Sequence, residues 1–260
     1  PNYMIDDIAP GANGSTTISL NKSLILYNQS ATVTVNFSET VNKFWGGNEI
    51  KTESSSDGDD CDNDTSTAVS NFDATDLDLD NATGDTSTIS NGQFASNCRG
   101  TTWTATYTPP ADREVVSNTI TLKNTWYDQV GNQGIDNVSA VFEVETYRPR
   151  SAISFDCTNC YAYGGKDALR PGDNGTITVE FTEMYPDPGV INFSESDVAA
   201  PFLTLSTLIS HDNVTWHGTF TPQDNSTSGS SQSSSYNNEF ENSNNSFTDV
   251  KTNSGIGSTS

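Results

Sequence analysis

The stretch Thr102-Trp103-Thr104-Ala105-Thr106-Tyr107-Thr108-Pro109 decides the fold, because it is a strand and because it occurs twice. Trp103, Ala105 and Tyr107 alternate with threonines, the period of two that puts large apolar groups on one face of a half-buried strand. The second occurrence is Thr215-Trp216-His217-Gly218-Thr219-Phe220-Thr221-Pro222. Working outward, Thr32-Val33-Thr34-Val35-Asn36-Phe37-Ser38-Glu39 returns as Thr176-Ile177-Thr178-Val179-Glu180-Phe181-Thr182-Glu183. Phe72 to Leu77 returns as Phe193 to Val198, and Asp128, Asn132 and Gly134 return as Asp249, Asn253 and Gly255. Blocks repeated in one order define a tandem repeat, so two similar units are expected.

Further strands are expected near 15–20, 119–123, 138–146, 151–156 and 202–208, and no stretch keeps a helical apolar period. Short strands punctuated by Gly, Pro, Asn and Asp predict an all-β chain of two tandem Ig-like antiparallel sandwiches. Trp103 and Trp216 are expected as the core plugs of the two copies. The copies differ in loops, chiefly an acidic insertion at 41–70 in the first copy and a polar tract from Gln223 to Ser235 in the second.

The expected division is residues 1–9 as a surplus strand, 10–148 as the first domain and 149–260 as the second. Asn2 to Pro10 resembles Phe142 to Pro149, the last strand of copy one with its hinge proline. The second copy stops before its own last strand. Two explanations stay open. The chain is a window on a longer tandem array, with flanking repeats as partners. Alternatively, residues 1–9 of one copy complete residues 150–260 of the next, by strand donation in a head-to-tail assembly.

The quoted motifs resemble those of bacterial Ig-like domains, the tandem modules of surface adhesins and extracellular filament glycoproteins. They are Phe37-Ser38-Glu39, Phe72 to Leu77, Trp103 to Pro109 and Asp128 to Gly134. The resemblance implies an extracellular or cell-surface spacer, load-bearing or adhesive, with no catalytic residues to carry over. Copy two departs at Asp249-Val250-Lys251-Thr252-Asn253, which lacks the glycine before Asn.

Composition agrees with export. The chain has 260 residues and a net charge of −23, from 34 acidic against 11 basic residues. That field repels nucleic acid and anionic membrane, since neither finds a basic patch to replace its counterions. No apolar run approaches the ~20 residues of a membrane-spanning helix. Asn-x-Ser/Thr sequons begin at Asn13, Asn21, Asn28, Asn36, Asn63, Asn81, Asn137, Asn174, Asn192, Asn213, Asn225 and Asn244, and glycosylation of several is expected. Cys61, Cys98, Cys157 and Cys160 are even in number and suit disulfides; pairing 61 with 98 and 157 with 160 keeps each bridge within one repeat.

The cluster Asp57, Asp59, Asp60, Asp62 and Asp64 has the alternation of a calcium loop. Thr65 and Asn71 stand where an EF-hand needs Gly and Glu, so that motif is rejected. A solvated acidic loop is preferred, with a looser Ca²⁺ site as the alternative; no cofactor is otherwise expected. Asp76, Asp78 and Asp80 alternate with Leu77 and Leu79 and are expected on the wet face of a strand. His211 and His217 form no triad, and no catalytic constellation stands out, so the chain is not read as an enzyme. The rival to a structural role is an adhesin module, with Phe44, Trp45, Tyr161 and Tyr163 in loop insertions contacting a carbohydrate or host ligand.

Overall fold

In a computed structural model the chain divides into two compact units, Pro1–Glu145 and Thr146–Ser260. The described residues are 7, 9–10, 16–42, 72–79, 86–96, 99–127, 132–157, 160–163, 166–170, 172–182, 189–223 and 239–259. Among them every regular element is a strand or one of two 3-10 turns, Ala74–Asp76 and Glu195–Asp197. Several expected strands are found shorter or split than the sequence predicts, notably 138–146, which is two strands.

Unit 1 opens with β1 (Thr17–Leu20), β2 (Leu24–Leu26) and the long β3 (Ala31–Asn42). After a 3-10 turn at Ala74–Asp76 come β4 (Leu77–Leu79), β5 (Thr88–Ser96) and β6 (Arg99–Thr108). It closes with β7 (Glu114–Asn118), β8 (Ile120–Leu122), β9 (Asn137–Val138) and β10 (Phe142–Glu145). One sheet runs β1-β3-β6-β5, and it faces two smaller ones, β2-β10-β7 and β4-β8-β9. The alternation read from the sequence positions β3: Val33, Val35 and Phe37 are buried while Thr32, Asn36 and Ser38 are exposed. Strand β10 runs parallel to β2 and antiparallel to β7, so it is the middle strand of its sheet.

Unit 2 begins with β11 (Arg150–Asp156), β12 (Tyr161–Tyr163), β13 (Lys166–Ala168) and β14 (Gly175–Thr182). Then follow β15 (Val190–Ile191), β16 (Val198–Ala199), β17 (Leu203–Leu205), β18 (Ile209–Ser210) and β19 (Thr215–Pro222). Its last strands are β20 (Glu241–Asn242) and β21 (Thr248–Asp249). The main sheet is β11-β14-β19-β17, with β18 also on β19, the same order as in unit 1.

The core of each unit contains four rings packed together at corresponding positions. Phe37 meets Phe72 at 4.8 Å and Trp126 at 4.9 Å between centroids, and Phe72 meets Trp103 at 5.1 Å. In unit 2, Phe181 meets Phe193 at 4.9 Å and Phe247 at 4.7 Å, and Phe193 meets Trp216 at 5.4 Å. Most of these rings meet edge-on, the geometry that adds roughly 0.5–1.5 kcal/mol per pair beyond area burial. A close backbone approach caps each cluster. Gly134 donates its N–H to the Trp126 carbonyl (2.8 Å), and Gly255 does the same to Phe247 (2.9 Å). In both places an added Cβ would lie under 3.0 Å from the ring, so only glycine fits.

Two expectations are corrected in detail. Trp103 is buried (2% exposed), but Trp216 is only partly so. The cause is its cross-strand neighbour: Phe94 stands opposite Trp103, whereas the small, polar Ser210 stands opposite Trp216. Asp76 is not on a wet strand face. It ends the 3-10 turn and is buried, while Asp78, on β4, is exposed.

Candidate functional site

The acidic turns are structural. Asp76 accepts from the Asp73 N–H (2.9 Å) and from the Thr125 hydroxyl, closing a capping box whose other half is the Asp73 side chain accepting from the Asp76 N–H; Asp73 Oδ1 also accepts from the Thr75 N–H (2.7 Å). The second copy repeats it with Asp197 accepting from the Ser194 N–H (2.8 Å). Burial raises the Asp76 pKa, and the bonds from Thr125 and the Asp73 backbone only partly oppose this. Asp212 is the reverse case: the Thr215 and Val214 amides lower its pKa by donating to the carboxylate at 2.8 and 2.9 Å. Among the described residues no cluster of three or more acidic, His or Cys side chains is arranged to hold a metal. The Asp57–Asp64 loop lies outside the described residues, as do Cys61, Cys98, Phe44 and Trp45.

Cys157 and Cys160 are disulfide-bonded, closing a small loop before the β12–β13 hairpin. On that hairpin Tyr161 is 55% exposed, and the Arg170 guanidinium lies 4.4 Å over its ring. His217 faces solvent and pairs with the Thr178 hydroxyl at 3.1 Å.

The sequons separate by what their amides do. Asn28, Asn192 and Asn213 are exposed at turn positions with positive φ (59°, 60° and 58°), which Asn tolerates. Asn21, Asn36, Asn174 and Asn244 are also exposed. In Asn21, Asn36 and Asn244 the Oδ1 atom accepts a hydrogen bond. Asn137 differs: its Nδ2 donates to the Thr16 carbonyl and its Oδ1 accepts from the Val138 N–H (2.7 Å). Asn13, Asn63, Asn81 and Asn225 lie outside the described residues.

The largest difference between the units lies where β10 sits. In unit 1, Phe142 and Val144 of β10 are 3% and 1% exposed, and Phe142 packs edge-on to Tyr107 at 5.3 Å. Ile25, on the neighbouring β2, is fully buried. In unit 2, no described strand takes the place of β10. The positions that would face it are correspondingly open. Ile153 and Leu169 are only partly buried, where Ile18 and Ile25 are buried, and Phe155 is 50% exposed. Phe220, the counterpart of Tyr107, packs instead against Phe240 at 5.0 Å and Phe155 at 6.4 Å. Among the described residues, the β10 position is where unit 2 departs most from its twin.

The segment around the hinge proline belongs to unit 2. Arg148 donates from Nε to the Ser254 carbonyl (2.7 Å) and from Nη2 to the Gly255 carbonyl (2.8 Å) and Asn245 Oδ1 (3.0 Å). The Pro149 carbonyl accepts from the Ile256 N–H (2.8 Å), and Ile256 returns its own carbonyl to the Ser151 N–H (3.1 Å). These bonds hold the entry of the chain against its far segment, 254–256.

Repeated sheets, repeated ring clusters and repeated capping turns define a protein of tandem immunoglobulin-like sandwiches. The profile of the bacterial Ig-like domain family matches residues 64–144 and 162–260, and the chain belongs to that family. The Escherichia coli adhesin FdeC is similar in structure at 11% sequence identity and a TM-score of 0.38. That match covers 93% of this chain, which spans 61% of the FdeC chain. No curated protein sequence matches the chain significantly.

Proposed function

We propose that this chain is an extracellular or cell-surface structural protein, the building block of a filament or stalk, whose open second module is closed by a strand from the next molecule. The observation that carries the reading is the occupied slot of unit 1 beside the open slot of unit 2. Aligned on Pro10 and Pro149, residues 3–6 of the chain reproduce β10: Tyr3 for Phe142, Ile5 for Val144 and Asp6 for Glu145. An aromatic and a β-branched side chain at alternate positions are what the slot in unit 1 takes. A contact in which one end of a molecule fits the other end of its neighbour does not close on itself, and so it gives a linear polymer.

The work asked of such a chain is mechanical. Antiparallel ladders along the β3–β6 and β14–β19 strands carry load, and a net charge of −23 keeps neighbouring fibres apart. Glycans on the exposed sequons would add a hydrated, protease-resistant coat. The role proposed is structural rather than catalytic.

The test is sedimentation and electron microscopy of the full chain beside a variant lacking residues 1–9. Polymers from the parent and monomers from the deletion support the reading. Equal polymerisation of both refutes strand donation. Absence of polymers in both favours a longer chain in which a flanking repeat supplies the strand.

The exposed Tyr161 favours a second reading, an adhesin module that stacks a sugar on that ring. Saturable glycan binding that is lost in Tyr161→Ala would support it.

A further inference from the structure

Resting on that reading of the open slot, we infer that Phe155 and Phe240 form a built-in placeholder that keeps the acceptor slot of unit 2 folded until a second copy's Tyr3 arrives. The two copies disagree at these positions in one direction only. Phe155 stands where unit 1 has Leu20, and Phe240 stands where it has Ile120. Both substitutions enlarge the side chain, and both enlarged rings converge on Phe220. Phe240 meets it at 5.0 Å and 66°, Phe155 meets it at 6.4 Å and 82°, and the two meet each other at 5.8 Å.

Phe220 is the residue whose counterpart, Tyr107, is covered by Phe142 of β10 at 5.3 Å and 80°. So the two extra rings crowd the surface that a strand in the β10 position would cover. They cover it incompletely. Phe240 is 3% exposed and has become core, but Phe155 remains 50% exposed on the edge strand β11. An unpaired sheet with a bare apolar face invites indiscriminate pairing. One buried and one half-exposed ring shield that face in the lone molecule, yet leave it reachable.

The arriving segment is residues 2–9 of a second copy, running parallel to Ala168–Arg170 as β10 runs parallel to Leu24–Leu26. Tyr3 then takes the edge-on seat on Phe220 that Phe142 takes on Tyr107. Phe155, the more exposed of the pair, is the ring that swings aside. Its displacement is a cost set against the new contacts, so the placeholder tunes assembly as well as guarding the monomer.

The experiment uses the full chain with Tyr3→Asp, which disables its own donor strand, and a synthetic peptide of residues 1–10 as the probe. Phe155→Leu and the pair Phe155→Leu/Phe240→Ile install the residues of unit 1. Calorimetry of the chains alone is expected to show the unit 2 transition lowered by about 4–8 °C in each variant. Peptide titration is expected to show tighter binding to Phe155→Leu by about 2- to 10-fold, the yield of not displacing one ring–ring contact. Unchanged melting together with unchanged affinity overturns the placeholder. Lower melting with weaker peptide binding overturns it too, since Phe155 would then be part of the seat. Failure of the peptide to bind any chain defeats the strand-donation reading itself, and lower melting in that case assigns the two rings to a self-sufficient core.

Discussion

Gly134→Ala should destabilise unit 1 strongly. Three atoms of the Trp126 indole lie within 2.5 Å of where the new Cβ would sit, against the 3.0 Å floor for real contacts. Neither side can retreat easily. The Trp126 ring is fully buried against Phe37 and Phe72, and the Gly134 N–H is tied to the Trp126 carbonyl at 2.8 Å. Overpacking of this kind costs typically about 1–3 kcal/mol, and the lack of slack places this case at the upper end, about 3 kcal/mol. For a unit of this size that is a fall of roughly 10 °C in Tm. Gly255→Ala should act alike on unit 2 through Phe247, leaving the unit 1 transition in place. Calorimetry of the full chain resolves the two. A double-mutant cycle with Trp126→Leu supplies the check on mechanism, because a smaller side chain makes room and the two losses should be less than additive. A Gly134→Ala loss below about 0.5 kcal/mol, or strict additivity with Trp126→Leu, would refute the crowding argument.

Three further outcomes are expected. The folded pKa of Asp76 is raised, so its ionisation works against folding: the penalty is absent below the unfolded value of 3.8 and grows as pH rises through the folded value. Asp76→Asn should therefore gain in unit 1 stability relative to the parent on going from pH 3 to pH 7, and a flat difference across thermal melts would contradict this. Asp212 has a lowered pKa, so its support of the β18–β19 turn is present above pH 3.8 and fades as pH falls through the folded value; in Asp212→Ala the Val214 and Thr215 amides should exchange faster at neutral pH. In glycopeptide mass spectrometry of native material, Asn137 should be unmodified while Asn28, Asn192 and Asn213 carry glycan, because Asn137 spends its Nδ2 on the Thr16 carbonyl. Occupancy of Asn137 matching that of Asn213 would count against the sorting.

What the sequence disclosed was whatever local pattern dictates. Val33, Val35 and Phe37 announce a half-buried strand by alternation alone, and so do Ile177, Val179 and Phe181; the order of the main sheets follows once the repeat is seen. Trp126 gives no local signal because it lies in an irregular segment without periodicity. Its correspondence to Phe247, and that of the glycine beneath each ring, becomes visible only when the two clusters are compared position by position. The partial exposure of Trp216 turns on a neighbour across the strand, Ser210, which no local reading brings near it. Burial of Asp76 was likewise hidden: its partner Thr125 is distant in sequence, and alternation with Leu77 and Leu79 imitates a wet strand face. The open slot was legible in outline from the phase of the repeat, but not the enlarged rings around it, since Phe155 and Phe240 face Phe220 only in three dimensions.

The central claim, that a second copy's opening segment fills the β10 position of unit 2, predicts a register. In unit 1, Glu143 lies beside Leu24 across the parallel ladder, and the corresponding residues are Met4 of one molecule and Ala168 of the next. Cysteines placed at these two positions, Met4→Cys and Ala168→Cys, should yield a ladder of covalent oligomers under mild oxidation, read on a non-reducing gel. Met4→Cys with Arg170→Cys, two residues out of register, should yield little. Equal ladders from both pairs, or monomers alone from the in-register pair, would contradict the account.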